Sequence, residues 1–574
     1  RVGTSSIFYA SASFNINPNV GPLVTIDGMI IEKGKYPNMG YNTISTVVTS
    51  PAPPIGSPVT ITDSSLSSTP NWTGAEIVIR YDRWTLIRSI ITDHSGTSLT
   101  FNTPYANLPY TGWGYFIQNH IDTLNELGDW YYDSVNQRIY MHFGSGTPGE
   151  HIIRATTLDH TVYNNGYLRR FIIIDGIHFR GTAGDNIHIW NNVSNIDIKK
   201  CRIEYSGGNA IYQHGGSGSM IDNNDILFSS HNAVHILFPN TTTIINNRIY
   251  YTGHYLGYTT TGDTACFVGI KCGSSSNGNN LIENNKIYNT GYLPINFGGA
   301  GSIVRRNYIH TYCYNKDDGA GIYIFNDRSG GELVEENIVL NAVGAGAGTN
   351  NPNSSSANGL YTDGRTANVT FIRNIVGNVT RQGYHGNLPV NVTLTGNTFF
   401  QCRELMGLWK FGNAGFWDGT GTFITGLNIQ HNKFISTDLN RNLAKGIFYE
   451  NSTTELNGAD IYDEIERLGV WNNNYYYTNE ECFVYIAHNL YQTNAPYNLE
   501  RWKSDFGQDL NSSVVVSENQ YTLNSIGPNL ITNGTFTSGI TGWTASSSDL
   551  TLDWYSPGIG DGGALSLTST QNNF

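Results

Sequence analysis

One short phrase recurs through the middle of the chain and limits what it can fold into. It reads IDNNDI, INNRI, ENNKI, RRNYI, EENIV, IRNIV, TGNTFF, QHNKFI and WNNNYY, centred on Asn224, Asn247, Asn285, Asn307, Asn337, Asn374, Asn397, Asn432 and Asn474. Cys201, in KKCRI, holds the same slot one copy earlier. The shortest spacings are 22 or 23 residues, and the longer ones read as the same unit carrying a loop. A fixed period of about 20 to 30 residues is the mark of a solenoid. The unit is short, apolar and β-branched with no helical periodicity, so it predicts strands. Asn tolerates the left-handed backbone of a tight corner. Stacked amides can also hydrogen-bond from one coil to the next. The phrase therefore predicts three strands per coil: one ending at the Asn, one following it, and one about ten residues further on.

The third strand is readable as NAIYQH, NAVHIL, VGIKC, PINFG, GIYIF, GLYTD, GYHGN, GLWKF and GIFYE. Alternation places Ile211, Val234, Ile270, Ile295, Ile322, Leu360, Tyr384, Leu408 and Ile447 inside. Their successors, Tyr212, His235, Lys271, Asn296, Tyr323, Tyr361, His385, Trp409 and Phe448, form an outward column of aromatic, amide and imidazole groups with one lysine. A solvated face more often carries Lys, Glu, Thr and Ser, so the column predicts a working groove; ordinary surface stacking is the alternative. Extra residues precede this strand at 253–265, 312–320 and 342–357 and follow it at 412–426. Loops grouped at one level of a rigid scaffold mark working sites. That grouping predicts a site around 267–411.

With these motifs, residues 165–490 resemble the right-handed parallel β-helix proteins of the pectate-lyase-like superfamily. Upstream, EKGKYPNMGYNTI (32–44), YFIQNHIDTLNELGDWYYD (115–133) and RIYMHF (138–143) resemble the N-terminal β-rich region of secreted bacterial β-helix proteins. Some of those are glycoside hydrolases of xylanase and fucosidase-like families; others are polysaccharide lyases. NLITNGTF followed by GITGW resembles the start of a jelly-roll carbohydrate-binding module. The expected fold class is therefore all-β: a right-handed parallel β-helix over 166–490, an N-terminal β-rich domain over 1–165, a cap and linker over 491–526, and the start of a jelly-roll-like module over 527–574. A short helix is expected within 119–133, capped by Asp122 with Leu124 and Leu127 on one side, and another in NLERWKSDF. The N-terminal domain is expected as a β-sandwich or barrel covering the first coils, because an open solenoid end exposes strand edges.

Composition narrows the partners. The net charge of −13, with no basic run, argues against nucleic acid and mildly against a polyanionic substrate. The six Cys contain no CxxC, so a zinc ribbon is unsupported; Cys266 and Cys272 either pair or stay as buried thiols. No apolar run reaches about 18 residues, so no membrane span is expected. The start at Arg1 without Met suggests a mature or trimmed N-terminus, and the short C-terminal module leaves room for cell-surface attachment through a further region. By analogy with its relatives, the chain is expected outside the cell with a polysaccharide or glycan as partner.

Candidate chemistry follows from residue types. Glycoside hydrolysis needs two carboxyl groups. Asp317 and Asp318 lie just before the strand GIYIF, and DDGAGIY resembles the acidic loop-plus-strand of some β-helix hydrolases; Asp-Gly is also an ordinary turn pair. Asp363 stands two places beyond Tyr361, with His385 one coil away. Strand rise puts Asp318 and Asp363 roughly 20 Å apart laterally, which favours Asp317 with Asp318, or Asp363 with His385, as partners. A lyase would instead use Lys271 as base, with Asn296, Tyr323 and His235 nearby. Calcium would assist such a lyase, but Asp263 is the only acid close to Lys271. Otherwise no cofactor and no metal site are expected. Glu335 and Glu336 read as surface residues; His214, His231 and His254 read as solvent or loop histidines. Trp409, Trp417, Tyr323 and Tyr361 are sugar-stacking candidates. Three functions stay open: hydrolase first, lyase, and a non-catalytic surface adhesin.

Overall fold

The structure is a computed structural model of the 574-residue chain. It describes residues 6–12, 22–164, 166, 168–191, 193–215, 217–258, 266–273, 278–325, 330–410, 424–436, 447–451, 465, 467–477, 484–488, 495–515, 550–555 and 564–569. Arg1–Val516 form one compact unit and Ser517–Phe574 another. In the second unit, Leu550–Tyr555 pairs antiparallel with Ala564–Ser569.

Three parallel sheets run the length of the solenoid, and the chain is a right-handed parallel β-helix. The first sheet begins at Val162–Asn164, the second at Arg170–Asp175 and the third at His178–Thr182. Strand pairing stacks like residue on like. The first sheet carries the inward row Ile187, Ile211, Val234, Ile270, Ile295, Ile322, Leu360, Tyr384 and Met406. The second carries Ile198, Ile221, Ile244, Ile282, Val304, Val334, Phe371, Leu394, Ile429 and Trp471. All of these side chains are buried. Each contributes about 1.5–3 kcal/mol on leaving water, which supplies the drive for coil-on-coil stacking. One predicted inward residue is displaced: Tyr384 pairs with Met406, and Leu408 lies opposite Gly386. Matching the Gly of GYHGN to that of GLWKF misplaced the register by two residues. Ile447 pairs with Met406, but the side chains of 447–451 lie outside the described residues.

The recurring Asn residues do not themselves adopt the left-handed backbone. The residue before each one does, as does Lys200 before Cys201: Asn223, Asn246, Asn284, Arg306, Glu336, Arg373, Gly396, His431 and Asn473 all have positive φ. The Asn side chain is instead buried. Its Oδ1 accepts both the backbone N–H and the Nδ2 of the Asn one coil earlier, as at Asn307, where Asn285 donates at 3.0 Å from each nitrogen. Its Nδ2 donates to the next Asn Oδ1 and to a carbonyl of the preceding coil; Asn307 gives 3.0 Å to Asn337 and 2.9 Å to Ile282. The chain of bonds starts at Cys201 N–H on Asn224 and ends with Asn474 donating to Ser512 and Asp509.

The far end is closed by the predicted helix, Leu499–Phe506. Asn498 caps it by accepting from Arg501 N–H, and Gly507 ends it in the left-handed conformation. Leu499, Trp502 and Phe506 face inward, with Trp502 against Trp471. The other predicted helix is only a 3-10 turn, Ile121–Thr123, capped by His120 and not by Asp122. Leu124 is buried but Leu127 is exposed, so no apolar side forms.

Before the solenoid, an eight-stranded antiparallel sheet and two three-stranded sheets are formed. The large sheet has its own core, including Trp72, Ile77, Ile79, Phe101 and Tyr115. This region does not simply cover the first coils. It seats on the solenoid insertions: Arg80 donates to Asn315 O and Ala345 O, Gly114 N–H to Gly348 O, and Gln118 to Gly257 O. The ladder predicts a graded effect. Asn307→Ala orphans buried donors of Asn285 and should cost about 2–4 kcal/mol. Asn307→Asp, although isosteric, loses its donor and places a charge beside Asn337 Oδ1 and Ile282 O, so its thermal unfolding midpoint should fall further than that of the Ala variant.

Candidate active site

Four neighbouring strands of the first sheet, Gly319–Phe325, Ala357–Asp363, Gln382–Asn387 and Glu404–Lys410, bring the predicted residues together. The outward row is as predicted from Tyr212 through His235, Lys271, Asn296, Tyr323 and Tyr361 to His385. It then reaches Gly407, not Trp409, which pairs with Asn387 in the adjacent row. Gly359 permits the close approach of the sheets beneath the site, since a Cβ there would lie 2.2 Å from Val376 Cγ1. Trp417, Asp263, Cys482 and nearly all of the 412–426 loop lie outside the described residues. The described cysteines, Cys266 and Cys272 among them, are buried and form no disulfide with one another.

The adjacent aspartates separate in role. Asp317 is fully buried and accepts from Arg83 Nε at 3.1 Å and NH2 at 2.6 Å. Its other oxygen accepts Asp318 N–H at 2.9 Å. It ties the N-terminal sheet to the solenoid and does not face a groove. Asp318, in the left-handed conformation, is partly exposed and accepts from Arg381 NH1 at 3.1 Å. The insertions expected to wall an open cleft are thus largely the seat of the N-terminal region.

Asp363 is the better-insulated carboxyl. It accepts from Tyr323 OH at 2.7 Å, Asn387 Nδ2 at 2.8 Å and Gly364 N–H at 2.8 Å. Burial pushes its pKa up, these hydrogen bonds oppose that, and the charge of Asp318 pushes it up again. The charge of Asp318 is thus felt at the Asp363 carboxyl. Both also act on Tyr292 and Tyr361, whose phenols are raised well above their usual range, chiefly by burial. Arg381 bridges the site: it bonds Asp318 while its guanidinium lies 4.1 Å from the Trp409 ring centre.

The aromatic ladder is less open than predicted. Tyr361 and His385 are 5% and 2% exposed, so neither offers a free face to a sugar. They pack edge-to-face at 4.2 Å, with Tyr323 and Trp409 on either side. Burial, with Arg381 adding to it, holds His385 neutral by lowering its pKa well below the usual range. Its Nδ1 meets Gln382 Oε1, and Gln382 Nε2 donates to Glu404. Burial raises the Glu404 carboxyl. Arg381, Gln382, Asn387 and Glu404 were missed from sequence; Glu404 had a signal, as an acid on the strand next to Gln382.

The residues set aside behave variously. Glu335 and Glu336 pair with Arg305, Arg306 and Arg373 on another face. His231 is not a loop histidine: it is buried, with Nδ1 against Asn209 and Asn232. His254 is also partly buried and bonds Tyr314 at 3.0 Å. His214 packs on Trp190 at 4.7 Å.

The family described as a right-handed β-helix region matches residues 185–358. No curated protein sequence matches the chain. Among solved structures, one described as a glycoside hydrolase is similar with a TM-score of 0.51 at 14% identity, over 69% of this chain and 80% of its own. The A-module of an Azotobacter vinelandii mannuronan C-5 epimerase aligns over 61% of this chain and 91% of its own, at 9% identity and a TM-score of 0.33. A XylC complex with xylose aligns over 89% and 74%, at 12% identity and a TM-score of 0.32. These likenesses are of fold. The division of roles between the aspartates gives a direct check: Asp317→Asn should lower unfolding free energy by about 1–3 kcal/mol in denaturant titration, because Arg83 loses its charged partner.

Proposed function

We propose that the protein hydrolyses glycosidic bonds in a polysaccharide, with Asp363 as general acid and Asp318 as the partner carboxylate. The observation that carries this reading is the contrast between two coupled carboxyls. Asp363 is shielded and shifted toward its protonated form, while Asp318 is partly exposed and held beside the Arg381 cation. Hydrolysis of a glycoside needs one carboxyl that holds a proton and donates it to the departing oxygen, and one that is ionised to attack carbon or activate water. Tyr323 and Asn387 orient Asp363. Arg381 and Trp409 line the approach, and Asn296, Lys271 and His235 continue the polar row along the first sheet. Buried Tyr361 and His385 act as positioning groups. The fold likeness to a glycoside hydrolase accords with this reading, and the reading carries with it a glycan partner and an extracellular location.

The test is incubation with a panel of neutral and uronic-acid polysaccharides, following reducing ends and the ultraviolet absorbance of unsaturated products together. Reducing ends without absorbance are expected. Asp363→Asn and Asp318→Asn should each lower the rate on the order of 10²- to 10⁴-fold with the fold intact. Both signals together would move the chemistry to elimination and to Lys271. Binding without turnover of any substrate would leave the adhesin.

The pH profile carries a second prediction. The rate should fall as pH rises through the pKa of Asp363, because the acid then loses its proton. The Tyr323 hydrogen bond stabilises the ionised form, so Tyr323→Phe should raise that pKa and move the alkaline limb of kcat/KM to higher pH. An unmoved limb would remove Asp363 from the acid role.

A further inference from the structure

A second cluster of chemistry-bearing groups lies near the start of the first sheet, outside the site just described. His160 precedes Tyr163 by three residues, Asp185 precedes His188 by three, and Tyr163 pairs with His188 across adjacent coils. The register therefore brings His160, Asp185 and His188 to one place. One ligand-type atom from each lies within 4.8 Å of one from each of the others. From these residues to Asp363 the first sheet climbs six strands, roughly 30 Å at the usual strand spacing.

We propose that His160, Asp185 and His188 bind a divalent transition-metal ion of the zinc class. Hydrogen bonding sets the ring nitrogens for this. His160 Nδ1 lies 2.9 Å from Asp185 O, and His188 Nδ1 lies 2.7 Å from Asp185 Oδ2. A carbonyl is an acceptor only, so His160 Nδ1 carries the hydrogen and His160 Nε2 keeps its lone pair, while His188 Nδ1 and Asp185 Oδ2 share one proton that a divalent ion would displace to bind both atoms. His160 thereby has the usual arrangement at metal sites, with one ring N–H on a carbonyl and the other nitrogen left to coordinate. Asp185 is itself fixed: its Oδ1 accepts from Asn209 N–H at 2.6 Å and Asn209 Nδ2 at 2.9 Å. Two imidazoles and one carboxylate suit zinc and its neighbours; calcium prefers an all-oxygen set.

The packing of the rings distinguishes a metal from a sugar as occupant. His160 stacks on Tyr163 at 5.0 Å and 8°. His188 stacks on Tyr212 at 4.9 Å and 25°, and on Trp190 at 6.1 Å and 10°. Neighbouring aromatics cover the imidazole faces, which a pyranose would need. The nitrogens lie on the ring edges and not on these covered faces, and the His188 and Asp185 side chains keep 19% and 13% exposure for entry of an ion.

Equilibrium dialysis of the whole chain against Zn²⁺ should show one saturable equivalent and a raised unfolding midpoint. His160→Gln, His188→Gln and Asp185→Asn should each weaken binding at least about tenfold, with unchanged far-ultraviolet circular dichroism. Electron paramagnetic resonance of the unmodified protein with one equivalent of Cu²⁺ reads the ligands without any variant; hyperfine coupling from two imidazole nitrogens is expected. Absence of saturable binding, undiminished binding in both histidine variants, or a copper spectrum without nitrogen coupling would each overturn the proposal. None of these readouts depends on polysaccharide hydrolysis.

Discussion

Everything in the solenoid depends on how a buried amide closes its corner. At each turn from second to third sheet the chain bends around a buried side chain, where an unpaired polar group costs free energy. The ladder Asn resolves this with one side chain. Its oxygen takes the N–H and the amide of the coil below, and its nitrogen serves a carbonyl and the next oxygen. A carboxylate has no donor and an alanine has neither group. The constraint is therefore chemical and local, and it fixes the coils in alignment even where the repeat is lengthened by loops. The 38-residue step from Asn247 to Asn285 keeps the same bonds as the 22-residue step from Asn285 to Asn307.

That alignment sets the site. Because the corners stack in register, residues far apart in sequence come to adjacent strands with predictable facing. Asp363, Asn387 and Trp409 share one row, and Tyr323, Tyr361 and His385 the next. The N-terminal region then adds what the repeat cannot. Arg83 enters from outside the solenoid to neutralise Asp317, and Asp317 holds Asp318 N–H. One aspartate is used as an anchor, and its neighbour is left at the surface with Arg381.

The sequence was informative wherever a period could be counted. The Asn column, the three strands per coil, the inward rows, most of the outward row and the terminal helix all follow from alternation and capping. The failures have physical causes. The left-handed position was assigned to Asn224 and its equivalents because Asn tolerates it, yet Lys200, Arg306 and Glu336 adopt it one place earlier; the Asn was needed for its amide. Trp409 slipped by two because a glycine was taken as the register mark. Burial of Tyr361 and His385, and the anchoring of Asp317 by Arg83, come from groups distant in the chain, which no local pattern encodes. Arg381 and Glu404 carry their meaning only through side-chain direction across coils.

The contrast between Asp318 and Asp363 is a consequence of the scaffold and not of residue type. Two aspartates in equivalent surroundings would titrate alike, and neither would be committed to acid or base. Here the strand Ala357–Asp363 ends among Tyr323, Asn387 and Gly364, which shield the carboxyl while supplying three donors. Burial opposes the ionised form, the donors favour it, and the raised pKa says that burial together with the charge of Asp318 prevails. Asp318 lies at the mouth of an insertion, partly exposed and beside the Arg381 guanidinium. The asymmetry, more than the mere presence of two acids, is what the proposed roles of the two aspartates rest on.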